Sequence, residues 1–336
     1  MKIIKFFKIF FLVVVIVLLS LFFYLFIGNA PKSKEMTWGV DFSQMQAESL
    51  GLNWKDTYLA ILEDLGVKNI KLHTQWDWVE GKRGDFYFDD IDWQIDQSKK
   101  YGANIIYVVG MKTGRWPECH LPKWSLSISK DEQQRELLEY IKEVVFRYKD
   151  EKSISYWHVE NEPLFNFGEC PWYDREFLKK EVSLVKSIDP ERQIIISDSG
   201  ELSSWISGAE IGDILGVTLY RKVWFNIVGE YGFYWDSVFP PVSYWRKAQI
   251  VEKIFNKKVI GIELQAEPWA PKPFFNVPIL EQEKTMNISQ FKENIQFARE
   301  TGLDKFYLWG VEWWYWLKEI HNRPEIWNEA KELFKN

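Results

Sequence analysis

The sequence predicts an α/β fold, a single (β/α)8 TIM barrel over residues 31–336, preceded by an apolar transmembrane signal anchor over residues 1–30. Three observations predict it. Short β-rich apolar runs alternate with helix-period runs eight times over about 300 residues, a length within the usual barrel range. No Gly-rich linker or break in composition divides those repeats. The first strand is followed by Gly39-Val40-Asp41-Phe42-Ser43, which lacks the glycine turn of an open, nucleotide-binding doubly wound sheet.

The N-terminal segment is set apart by charge. Lys2, Lys5 and Lys8 precede Ile9–Ile27, a run without any charged residue that is long enough for one membrane span. It exceeds the roughly 7–15-residue apolar core of a signal peptide. Gly28-Asn29-Ala30 has the small residues of a cleavage site, but Pro31 would follow the cut and hinder it. An uncleaved anchor is therefore expected, with a cleaved, secreted form as the alternative. Only Lys32 and Lys34 lie on the far side, so the positive-inside rule places the N-terminus in the cytoplasm and the barrel outside it.

From Met36 onward the elements follow in order. Trp38–Phe42 reads as the first strand, then Trp54–Leu65 as a helix stopped by Gly66. Lys68–Trp76 is the second strand, with a helix over Asp90–Lys100 ended by Tyr101-Gly102, and Asn104–Val109 is a buried third. A helix from Asp131 leads to the fourth, and Arg175–Ser187 to the fifth, Gln193–Ser197. Asp213–Tyr220 is the sixth, followed by a long aromatic loop and a helix over Pro241–Asn256. Lys258–Leu264 is the seventh, Asn287–Thr301 a helix, Lys305–Trp309 the eighth, and Pro324–Phe334 closes the chain.

The chemistry concentrates at two strand ends. In Ser155-Tyr156-Trp157-His158-Val159-Glu160-Asn161-Glu162-Pro163, alternation puts Tyr156, His158, Glu160 and Glu162 on one face, with Asn161 on the other. Two acids there are costly unless solvated, paired or used, and a solvated surface strand end is the ordinary alternative. In Val259-Ile260-Gly261-Ile262-Glu263, alternation puts Val259, Gly261 and Glu263 on one face and Glu263 at the barrel mouth. Strands four and seven lie nearly opposite in an eight-stranded barrel. Glu162 and Glu263 would then face each other across a cleft, as glycoside hydrolysis requires of its two carboxyl groups. An aromatic content of 17%, with 19 Trp, supplies flat apolar faces that suit sugar rings.

With these residues in view, Asn161-Glu162-Pro163 and Gly261-Ile262-Glu263 resemble the motifs of the 4/7 superfamily of retaining glycoside hydrolases (clan A), which includes cellulase-like, mannanase-like and β-galactosidase-like families. The resemblance extends over nearly all of residues 36–336. Trp76-Asp77-Trp78-Val79-Glu80, then Gly84-Asp85-Phe86-Tyr87-Phe88, is similar to the segment after strand two in those families. The resemblance implies Glu162 as acid/base, Glu263 as nucleophile and Asn161 as holder of the sugar 2-hydroxyl. It further implies Tyr220 touching the nucleophile and Trp309 as the aromatic floor under the sugar. Where many members carry an arginine near the end of strand two, this chain has Lys71, with His73 two residues on. Lysine lacks the forked donor pattern of arginine.

Glu160 and Glu267 are extra acids beside the pair. Either could bind a sugar hydroxyl, raise a neighbour's pKa or be the true catalytic residue. Glu263 is preferred over Glu267 because it lies within the strand, while Glu267 precedes Pro268 in the loop. His158, Trp76 and Trp116 join the expected substrate-binding set, and Trp313, Trp314 and Trp316 are a candidate sugar-stacking wall, although packing would account for at least one of them. Cys119 and Cys170 lie on loops after neighbouring strands, and outside the cytoplasm a disulfide is the leading reading. No metal-ligand spacing accompanies Cys119-His120, and neither a metal nor a cofactor is expected. No Gly-x-Ser-x-Gly elbow supports a serine nucleophile, and no basic cluster suggests nucleic acid.

The expected activity is thus retaining hydrolysis of O-glycosidic bonds in a β-linked oligo- or polysaccharide, with the membrane as a second partner through the N-terminal helix. A catalytically silent sugar-binding barrel and a transglycosylase using the same residues are the alternatives.

Overall fold

The computed structural model describes residues 2–33, 35–225, 229–233 and 238–335. Eight parallel strands close into a barrel in chain order. They are β1 (Thr37–Phe42), β2 (Asn69–His73), β3 (Asn104–Val109), β4 (Ile154–Val159), β5 (Gln193–Ser199), β6 (Ile214–Leu219), β7 (Lys258–Gln265) and β8 (Lys305–Trp309). An antiparallel hairpin, Lys222–Phe225 with Glu230–Phe233, is inserted after β6. The hairpin was not foreseen. Lys34, counted above among the flanking charges, lies outside the described residues.

The helices form for local reasons and then pack their apolar stripes on the barrel. Lys130–Tyr148 is the clearest case. Ser129 caps it through the Glu132 amide and Glu132 reaches back, a reciprocal capping box. Leu137, Tyr140, Ile141, Val144, Val145 and Tyr148 then recur at three- and four-residue spacing and are buried. Inside the barrel, Ile106, Ile195, Ile214, Ile260, Ile262 and Tyr307 form a dry plug, with Tyr156 against it. The plug fills the barrel below the mouth, as in other closed eight-stranded barrels. Truncating one of these isoleucines to Ala would cost about 2–5 kcal/mol.

Several expectations are corrected here. Strand two stops at His73, not Trp76, because Thr74 turns to donate its amide to the Val108 carbonyl and Trp76–Val79 is a short helix. Trp313 and Trp314 are not a sugar wall. They lie buried in the helix Val311–His321, where their indoles donate to the Gln282 side chain and the Ala266 carbonyl. Trp316 packs on His321.

The N-terminal helix, Lys2–Phe26, is long and apolar enough to cross a membrane. Most of its large apolar side chains from Ile4 to Phe23 are exposed, with Val15 half-buried. Near its end, the Arg246 guanidinium of the helix Pro241–Phe255 lies 4.5 Å from the Tyr24 ring centroid.

Candidate active site

The mouth is built from strand ends in register. Asp41 of β1 is paired with Trp309 of β8 on one side and Lys71 of β2 on the other. The Lys71 ammonium is fully buried and lies 2.9 Å from Asp41, 2.8 Å from Glu263 and 3.2 Å from Asn161. Burial alone would lower its pKa, but Asp41 and Glu263 outweigh that and raise it. Burial likewise works to raise Asp41, and the charges of His73 and Lys71 overcome it and hold this acid below the usual carboxylate range. His73 completes the group, with Nε2 2.6 Å from Asp41 and Nδ1 on the Thr113 carbonyl. Lys71 therefore reaches the strand-seven acid without arginine's fork.

Glu263 arrives at the mouth by a bulge. Along β6 the partners run Val217 with Gly261, then Thr218 with Glu263, so Ile262 is an extra residue on β7. Simple alternation, which put Val259, Gly261 and Glu263 on one face, is therefore wrong for this strand. Ile260 and Ile262 point into the barrel plug, and the bulge then turns Glu263 inward beside them. Each Glu263 oxygen accepts one hydrogen bond, from Lys71 at 2.8 Å and from the Tyr220 hydroxyl at 2.7 Å.

Strand four is irregular too. Glu160 and Glu162 have φ of 58° and 46°, in the left-handed region. The turn at Glu160 reverses the expected faces. Asn161, not Glu160, joins Lys71 in the mouth. Glu160 instead accepts from the Met111 and Lys112 amides and meets Glu181 of the helix Arg175–Ile188. Gly110 permits this (φ 134°), since a Cβ there would strike the Glu160 carboxylate. Glu162 accepts from the Thr218 hydroxyl at 2.9 Å, and its amide donates to Ser197 Oγ at 2.7 Å. His158 lies beneath, with Nε2 2.9 Å from that same Ser197 hydroxyl, and burial keeps its pKa well below the ordinary value. Burial first, and then the charge of Glu263, push the Glu162 carboxyl up to about 8.

The remaining expected residues divide. Trp309 lies at the mouth, its indole N–H donating to Glu267 at 2.8 Å and the Arg115 guanidinium 4.0 Å from its ring centroid. Arg115 also pairs with Glu267 and, at 2.9 Å, with Glu312. Glu267 is thus tied to Arg115 and Trp309. Trp116 is 60% exposed and meets Phe167 edge-on at 6.3 Å. Trp76 is not brought to the mouth. It is wholly buried against Trp124 and Tyr140, because its indole N–H is taken by Glu80. Cys119 and Cys170 form a disulfide with Cα atoms 5.2 Å apart, joining the loops after β3 and β4.

Sequence reasoning missed Asp41, Thr218, Ser197 and Glu312. Asp41 was within reach, since it is an acid at the end of a buried strand, the same signal that singled out Glu162 and Glu263. The others carry no such signal. A cavity of about 170 Å³ opens beside His73, lined in part by Gln44, Gln75, Trp78, Tyr87 and Gln94. Among the described residues, no group of three or more His, Cys, Asp or Glu could hold a metal ion.

Comparison with known proteins follows the same outline. Residues 44–204, just under half of the chain, match the model of glycosyl hydrolase family 10, a segment that contains Glu162 but stops before Glu263. No curated protein matches the chain. Xylanase 10B from Thermotoga petrophila RKU-1, solved with xylobiose, superposes with a TM-score of 0.55 at 15% identity, covering 89% of this chain and 94% of that one. The endo-1,4-β-D-mannanase of the same organism gives a TM-score of 0.55 at 16% identity, with 82% and 88% covered. A β-galactosidase from the haloarchaeon Halorubrum lacusprofundi gives 0.53 at 14% identity over 82% of this chain, which spans only about half (52%) of that protein's length. By its closed barrel, and by the match over residues 44–204, the chain is similar to the glycoside hydrolases of the 4/7 superfamily.

Proposed function

We propose that the chain is a retaining glycoside hydrolase acting on a β-linked glycan, with Glu162 as acid/base and Glu263 as nucleophile. The observation that carries this reading is the contrast between two glutamates at the ends of β4 and β7. One is buried with its carboxyl pushed up to about 8, and the other accepts from an ammonium and a phenol. Such a pair divides the labour of an acid and a nucleophile.

In the first step a Glu263 oxygen attacks the anomeric carbon. The bond to the leaving oxygen breaks, and that oxygen takes the Glu162 proton. In the second step water attacks the glycosyl-enzyme, its proton passes to Glu162, and Glu263 leaves as the carboxylate. Lys71 and Tyr220 hold Glu263 in place through both steps. Asn161, fixed by Lys71, is set to hold the 2-hydroxyl, and Trp309 to lie under the ring. No cofactor takes part in this scheme. The xylanase and mannanase neighbours favour a β-1,4-linked polysaccharide as substrate.

The N-terminal helix would anchor the barrel to the outer side of the membrane, dividing the chain into residues 1–30 and 31–336. The disulfide agrees with an oxidising compartment. Membrane fractions washed with carbonate should retain the full-length protein. A soluble form starting near Pro31 would show a cleaved signal instead.

The enzymatic reading is tested with a panel of aryl β-glycosides and β-1,4-linked xylan and mannan oligosaccharides, following the anomeric configuration of the first product by NMR. Retention is expected. Inversion would remove the nucleophile role from Glu263, because it requires carboxyl groups about 6.5–9.5 Å apart with a water between them. Measurable oligosaccharide binding without turnover of any substrate would favour the silent barrel.

A further inference from the structure

The loop after β3 carries a further acid toward the mouth. Glu118 is only 8% exposed, and among the described residues its carboxyl group has no hydrogen-bond partner. Its backbone is firmly held. The Glu118 carbonyl accepts from the Thr113 amide at 3.1 Å, and the next residue is Cys119 of the disulfide. Gly168, on the loop after β4, roofs it closely (φ 99°), and a Cβ at that position would collide with the Glu118 Cβ. Its carboxyl oxygens are not among the fully enclosed unpaired polar atoms, so they keep access to solvent and are free to meet a ligand.

Burial above all pushes the Glu118 carboxyl up, Lys112 draws it back and Glu263 adds to the rise, which ends at about 7. Glu118 in turn helps to raise Glu162, so the two acids lie within electrostatic reach of each other. The mouth has two sectors. Asp41, Lys71, His73 and Trp309 line the side of β8, β1 and β2. On the other side, Trp116, Phe167, Trp269 and Tyr220 form a chain of ring contacts 5.2–6.3 Å apart, crossing the loops after β3, β4, β7 and β6. Glu118 belongs to this second sector: it stands two residues from Trp116 on the same loop and packs against Gly168, the neighbour of Phe167.

We infer that Glu118 is a specificity-determining residue for the leaving-group sugar, its carboxylate accepting hydroxyl hydrogen bonds from the saccharide that departs with the Glu162 proton. This rests on the glycosidase reading above. A sugar against the exposed Trp116 would lie beside Glu118 on the same loop, and a carboxylate has two oxygens with which to accept a pair of neighbouring hydroxyls. The ligand class is therefore a neutral sugar unit beyond the cleaved bond.

The test compares wild type, Glu118→Gln and Glu118→Ala in the full-length chain. Each is assayed with dinitrophenyl β-xyloside and β-mannoside, whose leaving group has no hydroxyls, and with β-1,4-xylotriose and β-1,4-mannotriose. Melting and an intact disulfide by mass spectrometry check folding, and the isosteric Gln variant carries the test if Ala fails to fold. The expected result is a loss of kcat/KM on the trisaccharide about tenfold to a hundredfold larger than on the aryl glycoside, with Gln losing less than Ala. Equal losses on both substrates, or no loss, would overturn the inference while leaving the glycosidase reading intact. A wild type that turns over neither set would instead overturn that reading, and this inference with it.

Discussion

The ends of β4 and β7 present the same side chain, a glutamate on an irregular strand end, in opposite surroundings. At β4, Glu162 meets a hydroxyl, a buried pocket and two neighbouring acids. At β7, Glu263 meets the Lys71 ammonium and the Tyr220 phenol. The difference teaches that what a glutamate is fitted to do is set by donors and desolvation and not by residue type. Both ends also abandon regular strand geometry, β4 through left-handed residues and β7 through a bulge. The turn at β4 sends Glu160 away and Asn161 into the mouth, and the bulge at β7 lets Glu263 face inward beside Ile260 and Ile262.

The comparison breaks most decisively at Glu263. Replacing it by Gln is expected to lower kcat by a factor of about 10⁴ or more while leaving the melting profile of a folded barrel. If Glu267→Gln is the dead variant and Glu263→Gln stays active, the assignment to strand seven falls. Glu162→Gln sharpens the contrast. Its loss should be about 10²–10⁴-fold on substrates with poor leaving groups and much smaller on dinitrophenyl glycosides, which need no proton. A loss independent of the leaving group would deny Glu162 the acid role.

Lys71→Met attacks the β7 surroundings. Removing one member of a buried charge group leaves Asp41 and Glu263 without it, at a cost of about 3–5 kcal/mol by denaturant titration. A stability change under about 1 kcal/mol would show that the group is not held together by this ammonium. The disulfide belongs to the β4 side alone. Replacing Cys119 and Cys170 together by Ser is expected to cost on the order of 3–4 kcal/mol, less any strain, by the loop-entropy argument for cysteines 51 residues apart. Free thiols at both positions in freshly isolated protein would remove the bond from the account.

The gentlest probe is pH. Glu162 must carry a proton to act as the acid, and its carboxyl is pushed up to about 8. Activity should therefore fall as pH rises through about 8, roughly tenfold per unit beyond it. Because the folded state holds that proton more tightly than the unfolded chain, stability should also decline as pH rises from about 4.5 to about 8. An activity profile flat to pH 10 would mean that Glu162 is not the titrating acid.

What the sequence by itself determined is the order of eight strands and their helices, because apolar periodicity, caps and glycine stops are local properties. It also marked the strand ends that carry Glu162 and Glu263, since acids closing buried strands stand out in any barrel. The disulfide was legible for a related reason, in that loops after adjacent strands share a root spacing. Tertiary structure alone decided which way the side chains face. The bulge at Ile262 and the left-handed turn at Glu160 arise from pairing with neighbouring strands and loops, and each reversed a face read from alternation. It likewise sank Trp76, Trp313 and Trp314 into the core, where buried partners take their indole donors. It also gathered Asp41, Lys71 and His73 around Glu263. Charges separated by up to about two hundred residues become neighbours only when the barrel closes, and their burial then sets how strongly each is felt.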